Sequence, residues 1–144
     1  VIPQIETQNL NLIDAEGNAF NFSTGKWYLV HFDDFQNQTF SLDRYKLATS
    51  LKITLPRESH RLRRVVVYKD RELFANALEL KEQFPQIIFL YDKNNLFENR
   101  ISSQLNNPYF SKSMFLIDSF SNVMEEFNVN LTFSEIFEDL KVLL

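Results

Sequence analysis

The stretch Gly25-Lys26-Trp27-Tyr28-Leu29-Val30-His31-Phe32, running into Asp33-Asp34-Phe35-Gln36-Asn37-Gln38-Thr39, decides the architecture. Lys26 to Phe32 is mostly aromatic and aliphatic, without polar alternation. Such a run suits a strand buried on both faces, and a strand of that kind lies in the middle of a sheet. The polar residues after Phe32 read as a loop. A helix is expected next, because Phe40, Leu47, Ala48, Leu51 and Leu55 share one face at helical spacing and Pro56 then stops it.

The same alternation continues outward. Val65–Tyr68 reads as a β-branched strand. Arg71–Phe84 reads as a helix whose buried stripe is Leu73, Phe74, Ala77, Leu78, Lys81 and Phe84, with the Lys81 stem lying along it. Ile87–Tyr91 is a second buried strand, Asn94–Leu105 a short helix through Leu96, Phe97, Ile101 and Leu105, and Asn106–Lys112 a loop holding Pro108. Met114–Asp118 and Val123–Phe127 form a hairpin around the turn Ser119–Asn122. Thr132-Phe133-Ser134-Glu135 is a capping box that opens the last helix, whose stripe is Phe133, Ile136, Phe137, Leu140, Leu143 and Leu144. Upstream, Gly17 sits between the runs Leu10–Ile13 and Ala19–Phe22 and supplies the positive φ of a hairpin turn; Gly25 closes a second turn, Ser23-Thr24-Gly25. The order after that hairpin, β-α-β-α-β-α-β-β-α, predicts an α/β domain. Parallel strands joined by right-handed crossovers are followed by an antiparallel hairpin and a covering helix. Residues 1–144 form one domain, with 1–24 as an N-terminal hairpin extension and 25–144 as the core.

Composition excludes several classes of function. The 144 residues suit one core, and the 15 phenylalanines indicate a core built more from Phe and Leu than from Val and Ile. A net charge of −4 gives no general attraction to nucleic acid. With no cysteine, disulfides, thiolate metal sites and cysteine nucleophiles are impossible. Apolar runs such as Ile87–Tyr91 are far too short to span a bilayer. The sequence starts with Val1 rather than Met, which fits both a cleaved signal and a trimmed anchor.

Four stretches resemble a known family in their order and spacing: Gly25-Lys26-Trp27 leading into the apolar strand, Arg61-Leu62-Arg63-Arg64-Val65, Phe115-Leu116-Ile117-Asp118 with Asn122-Val123-Met124, and the ending Asp139-Leu140-Lys141-Val142-Leu143-Leu144. From about Leu10 onward the chain is similar to the thioredoxin-like Sco family of copper-delivering cytochrome-oxidase assembly proteins. It is more similar still to their membrane-anchored bacterial relatives associated with the oxidase. The resemblance implies a mixed sheet flanked by helices and a place at the periplasmic face of the bacterial inner membrane, reached through an upstream anchor. It implies a protein partner such as an oxidase or its assembly factors.

The family pattern has a CxxxC pair at the strand–helix junction and a later His, together a copper site. Counted from Leu29, the cysteine positions fall on Asn37 and Ser41 and the His position near Phe110 or Ser111. None supplies a soft thiolate or an imidazole, so copper and redox roles do not carry over and no cofactor is expected. The junction is then a degenerate site loop of Asp33, Asp34, Asn37 and Ser41.

Other residues carry alternatives. His31 reads first as a buried, hydrogen-bonded histidine; with Met114 and Met124 it would make a thioether copper site. His60 is far from it in sequence. Asp33 and Asp34 read as loop or capping carboxylates, or as acid–base groups if a closed cleft raises a pKa. Asn37, Thr39 and Ser41 read as N-cap residues or as an anion cradle at the helix start. Arg57, His60, Arg61, Arg63, Arg64, Lys69 and Arg71 form a basic cluster suited to an acidic partner or anionic lipid, or merely solvated. Within it Arg57, Arg61, Arg63 and Arg64 are the candidate partner-binding residues. The Asn-x-Ser/Thr matches at Asn21, Asn37 and Asn130 matter only in a glycosylating compartment. The leading expectation is a non-catalytic binding domain. The alternative is a metal or small-ligand carrier with a pocket near Asp33–Ser41 or Asn106–Ser113.

Overall fold

The computed structural model describes residues 2–22, 25–55 and 61–144. Pro56, Arg57, His60 and the turn residues Ser23 and Thr24 lie outside the described residues. The strands are β1 (Ile5–Glu6), β2 (Leu12–Ile13), β3 (Ala19–Phe20), β4 (Trp27–Phe32), β5 (Leu62–Tyr68), β6 (Ile87–Asp92), β7 (Met114–Ile117) and β8 (Asn122–Phe127). The helices are α1 (Gln38–Thr54), α2 (Phe74–Gln83), α3 (Leu96–Ser102), α4 (Pro108–Ser111) and α5 (Phe133–Leu143).

One mixed sheet runs β1-β8-β7-β4-β5-β6-β2-β3. The apolar run beginning at Trp27 is therefore central, parallel to β5 on one side and antiparallel to β7 on the other. Five of its six residues are buried, as a strand covered on both faces requires. β5 and β6 continue the parallel set. Because β4, β5 and β6 step in one direction, the two crossover helices α1 and α2 lie on the same face. There α1 and α5 pack Ala48, Leu51, Ile136 and Leu140 against Leu29, Leu62 and Leu116. On the opposite face Phe97 and Ile101 of α3 join Leu10, Leu12 and Phe22 over Val30, Phe32, Val65 and Phe115.

Several elements differ from the sequence reading. β1 has no counterpart in it; its two residues pair with Val123 and Asn122 of β8. The helix read over Arg71–Phe84 begins as a 3₁₀ turn at Arg71–Leu73. Leu73, Ala77 and Phe84 of its stripe pack inward, joined by Leu80, whereas Phe74 and Leu78 are each 40% exposed. The helix read from Asn94 starts at Leu96, because Asn94 and Asn95 are left-handed and the Asp92 carboxylate takes the Phe97 and Glu98 amides at 2.9 and 2.8 Å. The loop read over Asn106–Lys112 contains α4, with the Asn107 side chain capping Tyr109 and Pro108 in its first turn. The strand reading at Val65 extends back to Leu62, and β7–β8 carries an irregularity between Leu116 and Ile117.

The hairpin turn has Gly17 at φ +85°, as its position required. The capping box at Thr132 is present, with Glu135 and Thr132 each accepting the other's amide. Thr132→Ala removes one half of that pair, and a loss of about 1 kcal/mol in urea unfolding is expected.

Candidate functional site

The carboxyl ends of the parallel strands open where β4 passes into α1, the position at which open α/β sheets hold ligands. The ladder runs one residue past β4, with the Asp33 amide donating to the Val67 carbonyl at 2.8 Å. Asp33 is buried rather than solvated. Its Oδ1 accepts the Phe35 amide at 2.8 Å, which closes a tight turn and places Phe35 at φ +61°. Its Oδ2 accepts the Tyr45 hydroxyl of α1 at 2.7 Å and lies 3.7 Å from His31 Nε2. That separation is an ion-pair distance, longer than a hydrogen bond. His31 is thus buried as expected, but its Nε2 has no hydrogen-bond partner among the described residues.

Burial alone would raise the Asp33 carboxyl. The His31 imidazole, the Tyr45 hydroxyl and the Phe35 amide outweigh burial and hold it at about 2. Burial and the Asp33 charge push the Tyr45 hydroxyl far up. The acid–base reading required a raised carboxyl in a closed cleft. Asp33 is instead a depressed, fully engaged structural carboxylate, and Asp34 sits half-buried on the rim holding the Gln36 amide at 3.0 Å.

Asn37 caps α1, its Oδ1 taking the Phe40 amide at 3.0 Å. Ser41, one turn on, is buried with no hydrogen-bond partner at Oγ among the described residues. Asn37, Ser41 and Tyr45 therefore form one column of α1 spaced by single turns, ending at Asp33. Thr39 is exposed and does not cap.

The other wall is α4. Lys112 Nζ lies 5.4 Å over the Phe40 ring, which ties the end of α4 to the first turn of α1. The two loops named from the sequence thus meet in one open cleft of about 350 Å³, lined by Asp34, Lys69, Glu98, Asn107, Tyr109 and Lys112. Glu98 Oε2 accepts from Lys69 at 3.0 Å and from Asn107 at 2.8 Å, and Lys69 lies 4.7 Å over the Tyr109 ring. Phe110, also in the cleft wall, is 89% exposed. Asn107 and Tyr109 fall within the loop named from the sequence, where the Asn-Pro pair at 107–108 marks a helix start; Glu98, on α3, went unmarked.

The copper alternative fails on placement. His31 and Met114 are cross-strand partners, but Met124 lies further along β8 from Phe127, the partner of Met114, and is 42% exposed. Among the described residues, no three His, Cys, Asp or Glu side chains gather as a metal site.

The basic cluster is not uniformly a solvated face. Arg61 is exposed, Arg63 and Arg64 are half-buried, and Lys69 and Arg71 belong to other surfaces. No helix among the described residues is long and apolar enough to cross a membrane.

No protein-family model and no curated protein matches the chain. Solved structures do. Copper-bound yeast Sco1 aligns over 97% of this chain and 89% of its own, with a TM-score of 0.73 and 17% identity. BsSco, described as a member of the Sco family of cytochrome c oxidase assembly proteins, aligns over 97% and 94% with a TM-score of 0.72 and 14% identity. The thioredoxin domain of a thiol-disulfide oxidoreductase from Bacteroides vulgatus aligns over 99% and 94% with a TM-score of 0.62 and 16% identity. The chain has the thioredoxin-like fold of the Sco structures, carried by a sequence without cysteine.

Proposed function

We propose that this chain is a non-catalytic Sco-like domain that works by binding a protein partner. We place it at the periplasmic face of the bacterial inner membrane, in the assembly or association of a cytochrome oxidase. The observation that carries the reading is the column Asn37–Ser41–Tyr45. The fold keeps its strand–helix corner, yet the two positions where the family pattern has cysteines hold a helix cap and a buried hydroxyl. The buried Asp33 carboxylate at the corner closes a turn and holds the Tyr45 hydroxyl instead of activating a nucleophile. A corner held this way contributes shape, which is what a docking domain needs.

We assign the basic stretch holding Arg57, Arg61, Arg63 and Arg64 in sequence to an acidic partner, with Arg61, exposed among the described residues, leading. The chain used as bait on detergent-solubilised bacterial membranes should retain oxidase subunits, and Arg61→Glu with Arg63→Glu should release them. Oxidase subunits that never co-purify, or that stay bound to the charge-reversed bait, overturn the proposal. Cu(I) titration by calorimetry should give no stoichiometric binding; a tight one-to-one isotherm overturns the non-catalytic reading.

A further inference from the structure

Residues 52–64 contain Lys52, Arg57, Arg61, Arg63 and Arg64 against Glu58 as their single carboxylate, in a chain of net charge −4. Even with Glu58 fully paired, this is a concentrated positive region. The fold gathers part of it at the amino-terminal ends of β5 and β6, remote from the β4–α1 corner. Lys52, near the end of α1, donates to the Leu62 carbonyl at 2.8 Å, and Arg63 Nη1 reaches the same oxygen at 3.4 Å. Arg64 Nη1 donates to Thr49 Oγ1 at 2.6 Å. Two adjoining open clefts, of about 350 and 390 Å³, share Lys52, Arg64 and Gln86 in their walls, and Arg63 lines the second.

Burial and the neighbouring Arg63 and Arg64 charges pull the Lys52 ammonium below its ordinary value. Three cations are therefore held close together against their own repulsion, with a neutral carbonyl and a neutral hydroxyl among their acceptors. An oxyanion with several oxygens would relieve that repulsion and accept guanidinium and ammonium donors together, in charge-assisted bonds stronger than those to the carbonyl. The exposed Gln86 amide adds a neutral donor at the rim.

We propose that the trough between Lys52, Arg63, Arg64 and Gln86 binds a phosphate-type oxyanion, carried free or as the head group of an acidic phospholipid. The trough shares Arg63 and Arg64 with the surface assigned to the acidic partner, but its binding needs no oxidase and is tested without one.

The test is a ¹H–¹⁵N correlation titration with inorganic phosphate, the ionic strength held constant with sodium chloride. Saturable shifts confined to Lys52, Leu62 to Val65 and Gln86 are expected. Gln86→Glu places a carboxylate in the trough without removing a buried group and should weaken binding by about tenfold or more. Lys52→Gln should act in the same direction, while Lys93→Gln, an exposed residue elsewhere, should leave binding unchanged. Flotation with phosphatidylglycerol but not phosphatidylcholine vesicles, lost in Gln86→Glu, assigns the group to a lipid. Saturable phosphate binding without flotation assigns it to a soluble phosphate. Shifts that fail to saturate, spread over all basic residues, or survive Gln86→Glu overturn the proposal.

Discussion

Asp33→Ala is expected to destabilise the fold by about 3 kcal/mol, because it strands a buried imidazole and a buried phenol together. The carboxylate holds the Tyr45 hydroxyl at 2.7 Å, the Phe35 amide at 2.8 Å and faces His31 Nε2 at 3.7 Å. No water replaces it easily, since His31 and Asp33 are 6% and 8% exposed. Tyr45→Phe removes one of these contacts and should cost about 1 kcal/mol; the double variant should lose less than the two single losses together. Urea unfolding at neutral pH measures all three. A loss below about 1 kcal/mol for Asp33→Ala contradicts the role assigned to it.

The same carboxylate sets an acid limb. Its folded pKa of about 2 lies below the ordinary 3.8. Its contribution is therefore complete above the ordinary value and drains away as pH falls through about 2. At neutral pH that contribution is about 2 kcal/mol. Asp33→Asn keeps an acceptor for the Phe35 amide but no charge, so its stability should decline less than that of the parent chain between pH 4 and pH 2. Asp92, at the end of β6, shifts the other way: burial raises it despite the Phe97 and Glu98 amides. A raised carboxyl favours the folded state as pH falls toward its ordinary value, so Asp92 opposes this limb, and the comparison with Asp33→Asn isolates the part that belongs to Asp33.

The range of each interaction decides how much of the fold was legible in the sequence. β4 could be read because both faces bury the same short run, so its apolarity is visible without knowing its neighbours. The Asn37 cap and the Thr132 box could be read because each bond closes within one turn. β1 could not, because Ile5 and Glu6 are strand only through their pairing with Val123 and Asn122. The inward stripe of α2 is Leu73, Ala77, Leu80 and Phe84 at i, i+4, i+7 and i+11, and the apolar neighbours Phe74 and Leu78 lie outside it, so apolarity alone made the stripe look wider than the face the sheet covers. α4 has four residues, too few to show a period. Asp33 resembled any loop carboxylate. Its partners come from β4, β5 and α1, so its burial depends on tertiary contacts that no local pattern reveals.

Removing residues 1–24 should leave a chain that does not fold, although the hairpin there looks like an appendage. Ile5, Leu10, Leu12 and Phe22 are each no more than 6% exposed and belong to the same buried cluster as Val30, Val65 and Phe115. At about 2 kcal/mol for each large apolar side chain, their loss approaches the whole stability of an ordinary domain. Phe22 also packs edge-on against Tyr28 at 4.9 Å and Phe97 at 5.7 Å, so the truncated chain would expose rings from β4 and α3 as well. Its sheet would lose cover on both flanks: β2 pairs with Tyr91 and Asp92 of β6, while β1 pairs with β8. Polar ties go too, since Thr7 Oγ1 donates to the Ser121 carbonyl at 2.7 Å and Ser121 Oγ to the Phe22 carbonyl at 2.8 Å. Near-ultraviolet circular dichroism and amide dispersion of a chain starting at Gly25 measure the effect. Collapsed signals are expected. A cooperative melt with native dispersion would mean that the β4–β8 core closes its second face without the N-terminal strands, and that the aromatic cluster around Phe97 is not what holds α3 to the sheet.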